Sequence, residues 1–184
     1  FSSRPEIGAI SNHNLGLIAN NTTMHLITPA GVFNWYDGLG GTRMTLNSTG
    51  LGIGVTPSTA WNTGGNLQVG ELGALYHNQT LGATDLTYNS IRTGTDTYQY
   101  LNGSSLQASR FQQRDGSFRF FTAPAGTSPN AITFTERLRL KETGQLRFMP
   151  LAADPSGAEA GDVYYNSSSN KLKCYNGSTW NDLF

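Results

Sequence analysis

The chain has 184 residues, which is enough for one domain or two small ones, and its twelve basic and twelve acidic residues leave a net charge of zero. This balance argues against a nucleic-acid partner, because such binding depends on clustered Lys and Arg that neutralise phosphates. Aromatic residues make up 11% of the chain and charged residues 13%, whereas disordered chains are usually more charged and poorer in aromatics. The composition therefore predicts an ordered chain rich in β-strands and turns.

Three further features limit the classes of protein to which the chain can belong. No apolar run is long enough to cross a bilayer, so we expect no membrane partner. Cys174 is the single cysteine of the sequence, which excludes an intrachain disulfide. Because the sequence starts at Phe1 without Met, we expect a fragment or a processed product.

Residues 1–57 form the first predicted unit, a series of short strands. Apolar and polar residues alternate in runs separated by Asn-rich turns, and strict alternation is the period of a half-buried strand. The predicted strands span residues 6–10, 15–19, 24–28 and 32–36. A hairpin-type turn is predicted at Asp37-Gly38, because both residue types tolerate positive φ.

An internal repeat links the first unit to the second. Residues 43–50 (RMTLNSTG) return as residues 137–144 (RLRLKETG), and a second alternating run follows each copy, at residues 51–55 and 146–148. Both copies predict the same β-hairpin. A repeated hairpin favours a modular, elongated architecture over a globule with a pocket.

The second predicted unit, residues 58–150, continues the pattern of strands and turns. Hairpin-type turns are predicted at Asn102-Gly103 and Asp115-Gly116. Three aromatic residues flank the second of these turns and predict cross-strand packing: Phe111, Phe118 and Phe120. No stretch shows a helical period, so the fold class that we predict is all-β, an array of antiparallel hairpins.

The third predicted unit, residues 151–184, is a linker followed by a small three-stranded β-meander at residues 162–166, 171–176 and 179–183. A meander of this size is too small to be stable alone. Apolar side chains here and nearby need a partner surface: Phe148, Leu151, Tyr165, Leu172 and Trp180. The simplest source of that surface is another copy of the same chain.

Two stretches carry a resemblance to a known family. Residues 120–135 (FFTAPAGTSPNAITFT) run directly into residues 137–140 (RLRL), and residues 161–180 hold the pattern GDVYYN…YNGSTW. The first resembles the repeats of bacteriophage tail fibres and related virion appendages. The second is similar to a small carboxy-terminal module seen on many phage fibre proteins. The resemblance implies an intertwined homotrimer located on the virion, with other virion proteins as partners.

Candidate chemistry is sparse in this sequence. The three histidines, His13, His25 and His77, lack metal-ligand spacing, so we predict no metal site and no cofactor. No nucleophile motif is present, and we predict no catalytic residues and no enzymatic activity.

Binding to a host surface is the function that remains. Residues 74–106 break the regular alternation and carry aromatic residues beside amide and hydroxyl groups, which suit stacking on sugar rings. The receptor-binding candidates are Tyr76, His77, Tyr88, Tyr98 and Tyr100. The alternative interpretation is that these tyrosines cover a sheet face and contact neighbouring chains.

The resulting hypothesis is a structural and receptor-binding segment of a phage tail fibre, whose partner on the host is a surface glycan or protein. Several alternatives stay open. A capsid decoration or head-fibre protein would share the repeats but anchor to the capsid, and a bacterial cell-surface adhesin would carry the same modules. A glycan-depolymerising tailspike would need paired carboxylates, for which the sequence offers Glu71, Asp85 and Asp96 without a distinct pair.

Overall fold

The computed structural model describes residues 13–19, 22–37, 39, 41–61 and 66–184, and every regular element in these ranges is a β-strand. The prediction of an all-β fold is therefore confirmed, while the elongated array and the trimer stay predictions. The strand predicted at residues 6–10 lies outside the described residues. Among the described residues there is no helix that would cross a membrane.

Twelve strands form one main sheet whose spatial order follows the chain. They are β1 (Leu15–Ala19), β2 (Thr22–Ile27), β3 (Phe33–Tyr36), β4 (Thr42–Asn47), β5 (Gly50–Ile53), β6 (Asn66–Val69), β7 (Gly73–Asn78), β8 (Ala83–Tyr88), β11 (Leu106–Arg114), β12 (Ser117–Gly126), β14 (Thr135–Leu140) and β15 (Leu146–Phe148). All neighbours are antiparallel except β5 and β6, which pair in parallel. The sheet therefore continues across the predicted unit boundary after residue 57.

Both copies of the sequence repeat form antiparallel hairpins, β4–β5 and β14–β15. Leu46 lies opposite Leu51 in the first hairpin, and Leu140 lies opposite Leu146 in the second. The glycine that closes each repeat has positive φ, +147° in the first copy and +86° in the second. This backbone conformation favours glycine over residues with a side chain, which explains why both copies end in Gly.

The Asp115-Gly116 turn is confirmed. Its two residues have φ values of +50° and +68°, as a two-residue hairpin turn between β11 and β12 requires. The ring of Phe111 lies 5.9 Å from that of Phe118 and 5.0 Å from that of Phe120, so the predicted aromatic packing is also present.

The hairpin predicted at Asn102-Gly103 was wrong. This segment connects two different sheets, because the strand before it belongs to the small sheet described below and the strand after it is β11. Asn102 instead forms hydrogen bonds with two other segments of the chain, at Asn89 and Ser128. Its backbone N–H donates to Asn89 Oδ1 at 3.0 Å, and its carbonyl oxygen accepts from Ser128 N at 2.8 Å.

A small three-stranded sheet covers part of one face of the main sheet, and we call it the cap. Its strands are β9 (Ile91–Arg92), β10 (Tyr98–Gln99) and β13 (Ala131–Ile132), in the order β13–β10–β9. The buried apolar cluster lies between the cap and the main sheet: Trp61, Ala74, Tyr76, Ile91, Tyr98, Tyr100, Ala108, Ala123 and Ile132. The core of the chain is therefore confined to this one location among the described residues.

The last three strands form a separate antiparallel sheet, which we call the C-terminal module. They are β16 (Val163–Asn166), β17 (Lys171–Tyr175) and β18 (Trp180–Asp182). Asp154 attaches the preceding linker to this module, because its carboxylate accepts hydrogen bonds from Tyr164, Asn166 and Lys173. A parallel bridge between Leu151 and Asn166 adds a backbone connection.

Candidate functional site

One apolar residue from each strand of the main sheet lies directly opposite an apolar residue of the next strand, from the first strand to the last. We call this row the ladder. Its members in spatial order are Leu15, Ile27, Phe33, Leu46, Leu51, Leu67, Leu75, Leu86, Phe111, Phe120, Leu138 and Phe148. Neighbouring strands lie about 4.8 Å apart, so the ladder is about 50 Å long.

The sheet face that carries the ladder is exposed in the single chain. Leu86 is 56% exposed and Leu46 is 42% exposed, although both lie within strands. Flanking positions on the same face add further exposed apolar side chains: Ile53, Val69, Tyr88, Phe118, Leu140 and Leu146. The ladder face therefore presents most of the large apolar residues that the described chain leaves in contact with water.

Much of the opposite face is buried between β4 and β12, yet the buried side chains there are largely polar. Its buried polar side chains include Thr45, Asn66, Gln68, Asn78, Asp85, Thr87, Arg110, Gln112 and Ser117. In β6 and β8 the usual arrangement of apolar residues inside and polar residues outside is thus reversed. Such a reversal is costly for an isolated chain, because it hydrates apolar surface and buries polar groups.

Arg110 connects the polar face to the cap. Its guanidinium carbon lies 4.0 Å from the ring centre of Phe121, 4.6 Å from that of Tyr98 and 5.1 Å from that of Phe134. It also pairs with Asp96 at 3.3 Å, on the turn between β9 and β10. Cation–π and ionic contacts therefore hold β10 and its turn against the main sheet.

Asp85 is completely buried beside Arg110. Its Oδ1 accepts a hydrogen bond from Gln112 Nε2 at 3.0 Å and lies 3.7 Å from Arg110 Nε. Burial raises the pKa of Asp85, although the Arg110 charge and the Gln112 hydrogen bond act in the opposite direction. Burial likewise raises the pKa of Tyr98 to about 12 and raises that of Tyr76. Both phenols are therefore neutral at physiological pH.

The five receptor-binding candidates do not form one cluster. Tyr76, Tyr98 and Tyr100 are at most 5% exposed and belong to the core beneath the cap. Tyr76 packs edge-on against Trp61, Tyr98 packs edge-on against Phe134, and the Tyr100 hydroxyl donates to the Pro124 carbonyl at 2.6 Å. Their ring faces are closed to a sugar in this conformation.

His77 and Tyr88 are exposed, and both lie on the ladder face, where they flank the ladder on opposite sides. The His77 Nδ1 atom lies 3.2 Å from Thr84 Oγ1 on the neighbouring strand. A receptor-binding role stays a prediction for the set, and these two side chains have the exposure that such a role requires.

The three candidate carboxylates have different surroundings: Asp85 and Asp96 both contact Arg110, and Glu71 contacts Asn102. Asp85 has no exposed surface through which a glycan would reach it, and Glu71 accepts a hydrogen bond from Asn102 at 3.4 Å. Within the described residues, no three His, Cys, Asp or Glu side chains group as metal ligands.

The ladder face is the feature that the sequence did not show. The alternation of apolar and polar residues within each strand was visible in the sequence. The sequence did not show which face of the sheet the rest of the chain would cover. That depends on the cap, whose strands are only two residues long. A recognisable signal was the frequency of Asn, Gln, Asp and Arg at the positions that alternate with Leu and Phe.

No known protein-family model matches the chain, and no curated protein sequence matches it either. Among solved structures, a chain described as Geobacillus virus E2 ORF18 is similar over 66% of this chain, with 22% sequence identity and a TM-score of 0.36. The matched region is 26% of that longer chain. At this TM-score the likeness carries no argument about function.

Proposed function

We propose that the chain is a structural segment of an external virion appendage of the tail-fibre kind, which assembles as a homotrimer and takes part in host-surface recognition. The observation that carries this proposal is the exposed ladder face. A protein that stayed monomeric would keep a continuous apolar strip in contact with water. A fibre segment instead covers that strip with further copies of itself.

The size of the ladder face supports self-association. The ladder is about 50 Å long, and with one flanking position on each side it is about 13 Å wide, which gives on the order of 700 Å², polar flanking side chains such as His77 and Thr84 included. The largest apolar patch on a typical monomer is about 300–600 Å², whereas a standard protein interface covers about 800 Å² per partner. The face therefore has the dimensions of an interface.

Three copies are proposed because of the tail-fibre resemblance of residues 120–140 and 161–180. Two copies stacked face to face would also cover the ladder, at the usual sheet separation of about 10 Å. In a trimer the ladder would follow the three-fold axis and the strands would run across it. Each chain would then contribute about 50 Å of fibre length.

This arrangement decides which surface meets the host. The ladder face, with His77 and Tyr88, would point to the axis, while the cap and its connecting loops would point outward. We therefore propose host contacts on the cap side, at the exposed segments 95–97 and 103–105. Self-association through the ladder and receptor binding by His77 and Tyr88 exclude one another.

Antibodies against this chain test the functional proposal on virions that contain it. We expect them to label the distal appendages in electron micrographs and to reduce adsorption of the virions to host cells. Labelling of the capsid shell would instead favour the head-fibre alternative. Absence of label from intact virions, with the chain present in their protein content, would contradict an external location.

A further inference from the structure

The C-terminal module has an apolar face of its own. Residues paired directly across its strands share a face, and one such set is Val163 with Cys174, followed by Tyr165 with Leu172. Val163 is 37% exposed, and the other three side chains are half-buried. The opposite face of the module is covered by the linker, where Trp180 Nε1 donates to the Pro155 carbonyl at 3.4 Å. One face of the module is thus closed and the other open.

An apolar groove of about 400 Å³ lies between this open face and the end of the main sheet. Its apolar lining comes from Leu146, Phe148, Pro150, Tyr165, Leu172 and Phe184. Lys141 and Arg147 also line it. Phe184 is 67% exposed and Leu146 is 56% exposed, so both leave much of their surface free for a further contact.

The groove is continuous with the ladder face. Phe148 is the last residue of the ladder, and Leu146 lies beside it on the same face and in the same strand. The apolar strip therefore does not end at β15 but extends across the groove onto the module. A partner that covers the last residues of the ladder must also come close to Tyr165, Leu172 and Phe184.

We propose that the C-terminal module is a self-association clamp, whose apolar face and groove receive the same elements of a second copy of this chain. The inference rests on the proposed trimer and extends it. Around a three-fold axis, residues at a given height along the axis in one chain meet the same residues of the neighbouring chains. The Leu146, Leu172 and Phe184 side chains of the copies would then close the groove together and add their apolar area to that of the ladder.

Cys174 reports directly on this clamp, because it lies on the open face of the module and is the single cysteine of the chain. The test compares the maleimide labelling rate of Cys174 in the natural chain and in the double variant Leu46→Glu/Leu86→Glu. Both substitutions are at ladder residues far from the C-terminal module. We expect the double variant to be monomeric by light scattering and to label at least tenfold faster. Equal labelling rates of an assembled natural chain and a monomeric variant would overturn the clamp.

A second variant keeps the test independent of the ladder substitutions. Phe184→Ser should raise the concentration at which half of the assembly dissociates by at least tenfold. The matched control is Leu39→Ser, which removes a 93% exposed leucine on the β3–β4 loop and should leave that concentration unchanged. An unchanged value for Phe184→Ser contradicts the clamp alone, whereas a natural chain that is monomeric contradicts the proposed trimer itself.

Discussion

Gly126 shows how closely the cap and β12 fit together. A Cβ built on this glycine would overlap the ring of Tyr100, which is buried and anchored through its hydroxyl to the Pro124 carbonyl. The ring therefore has little freedom to move aside. A single methyl group at this position is enough to disturb the core beneath the cap.

We expect Gly126→Ala to lower the free energy of unfolding by about 1–3 kcal/mol, because overpacking forces side chains or backbone to shift. The matched control is Gly103→Ala, where the added Cβ meets open space. That change should stay within about 0.5 kcal/mol. Urea denaturation of both variants gives the comparison, and equal stabilities would show that the Tyr100 ring is not confined.

Asp85 gives the stability of the chain a defined pH dependence. Because burial raises its pKa, the folded chain binds a proton more tightly at this site than the unfolded chain does. The contribution of Asp85 to the free energy of unfolding should therefore increase as the pH falls from neutral towards about 3.9, the ordinary pKa of Asp. It should decrease as the pH rises through the folded-state pKa.

Asp85→Asn tests this dependence, because the amide keeps an oxygen for Gln112 but does not titrate. Urea midpoints are measured for both chains at several pH values between 7 and 4. The natural chain should gain stability relative to the variant as the pH is lowered. Parallel curves would mean that Asp85 titrates alike in the folded and unfolded chains.

At the scale of single elements, the cap depends on Arg110 more than on its own strands. Each cap strand has two residues, so the backbone hydrogen bonds between these strands contribute little to stability. Arg110 supplies the cation–π contacts and the ion pair with Asp96. Removing Arg110 would also leave Asp85 buried without its cationic partner. Loss of one partner of a buried pair typically costs about 3–5 kcal/mol.

Arg110→Ala should therefore destabilise the chain by several times more than Arg114→Ala, a change on the same strand. Arg114 forms an exposed pair with Asp115, and such pairs contribute about 0–1 kcal/mol. Denaturant midpoints measure the difference, and hydrogen exchange should be accelerated in β9, β10 and β13 for Arg110→Ala. Similar effects of the two substitutions would contradict the role of Arg110 in holding the cap.

Elements also differ in how far the sequence predicts them. The β1, β11–β12 and C-terminal strands followed from alternation and turn residues, because these signals are local. The cap did not, because two-residue strands have no measurable period and depend on distant partners. Asn102-Gly103 has the composition of a hairpin turn but joins two sheets, since hydrogen bonds to Asn89 and Ser128 determine its path. The burial of three candidate tyrosines follows from the same unpredicted cap.

At the scale of the whole molecule, the two faces of the main sheet differ in polarity and in exposure. The cap covers part of the polar face within the chain, and the apolar face is left open along twelve strands. Apolar burial contributes about 25 cal/mol per Å², so covering the apolar part of this face is a substantial driving force for assembly. The central claim is therefore that the ladder face is an interface between copies of this chain.

Light scattering on the purified chain, with and without Leu46→Glu/Leu86→Glu, tests this claim most directly. The natural chain should have three times the chain mass of 19.9 kDa, and the double variant should have the mass of one chain. A control with Thr95→Glu and Ser105→Glu adds the same charges at exposed positions on the turn of the cap and on the loop that follows it, outside the ladder face, and should remain trimeric. A natural chain that has the mass of one chain at every concentration would contradict the account.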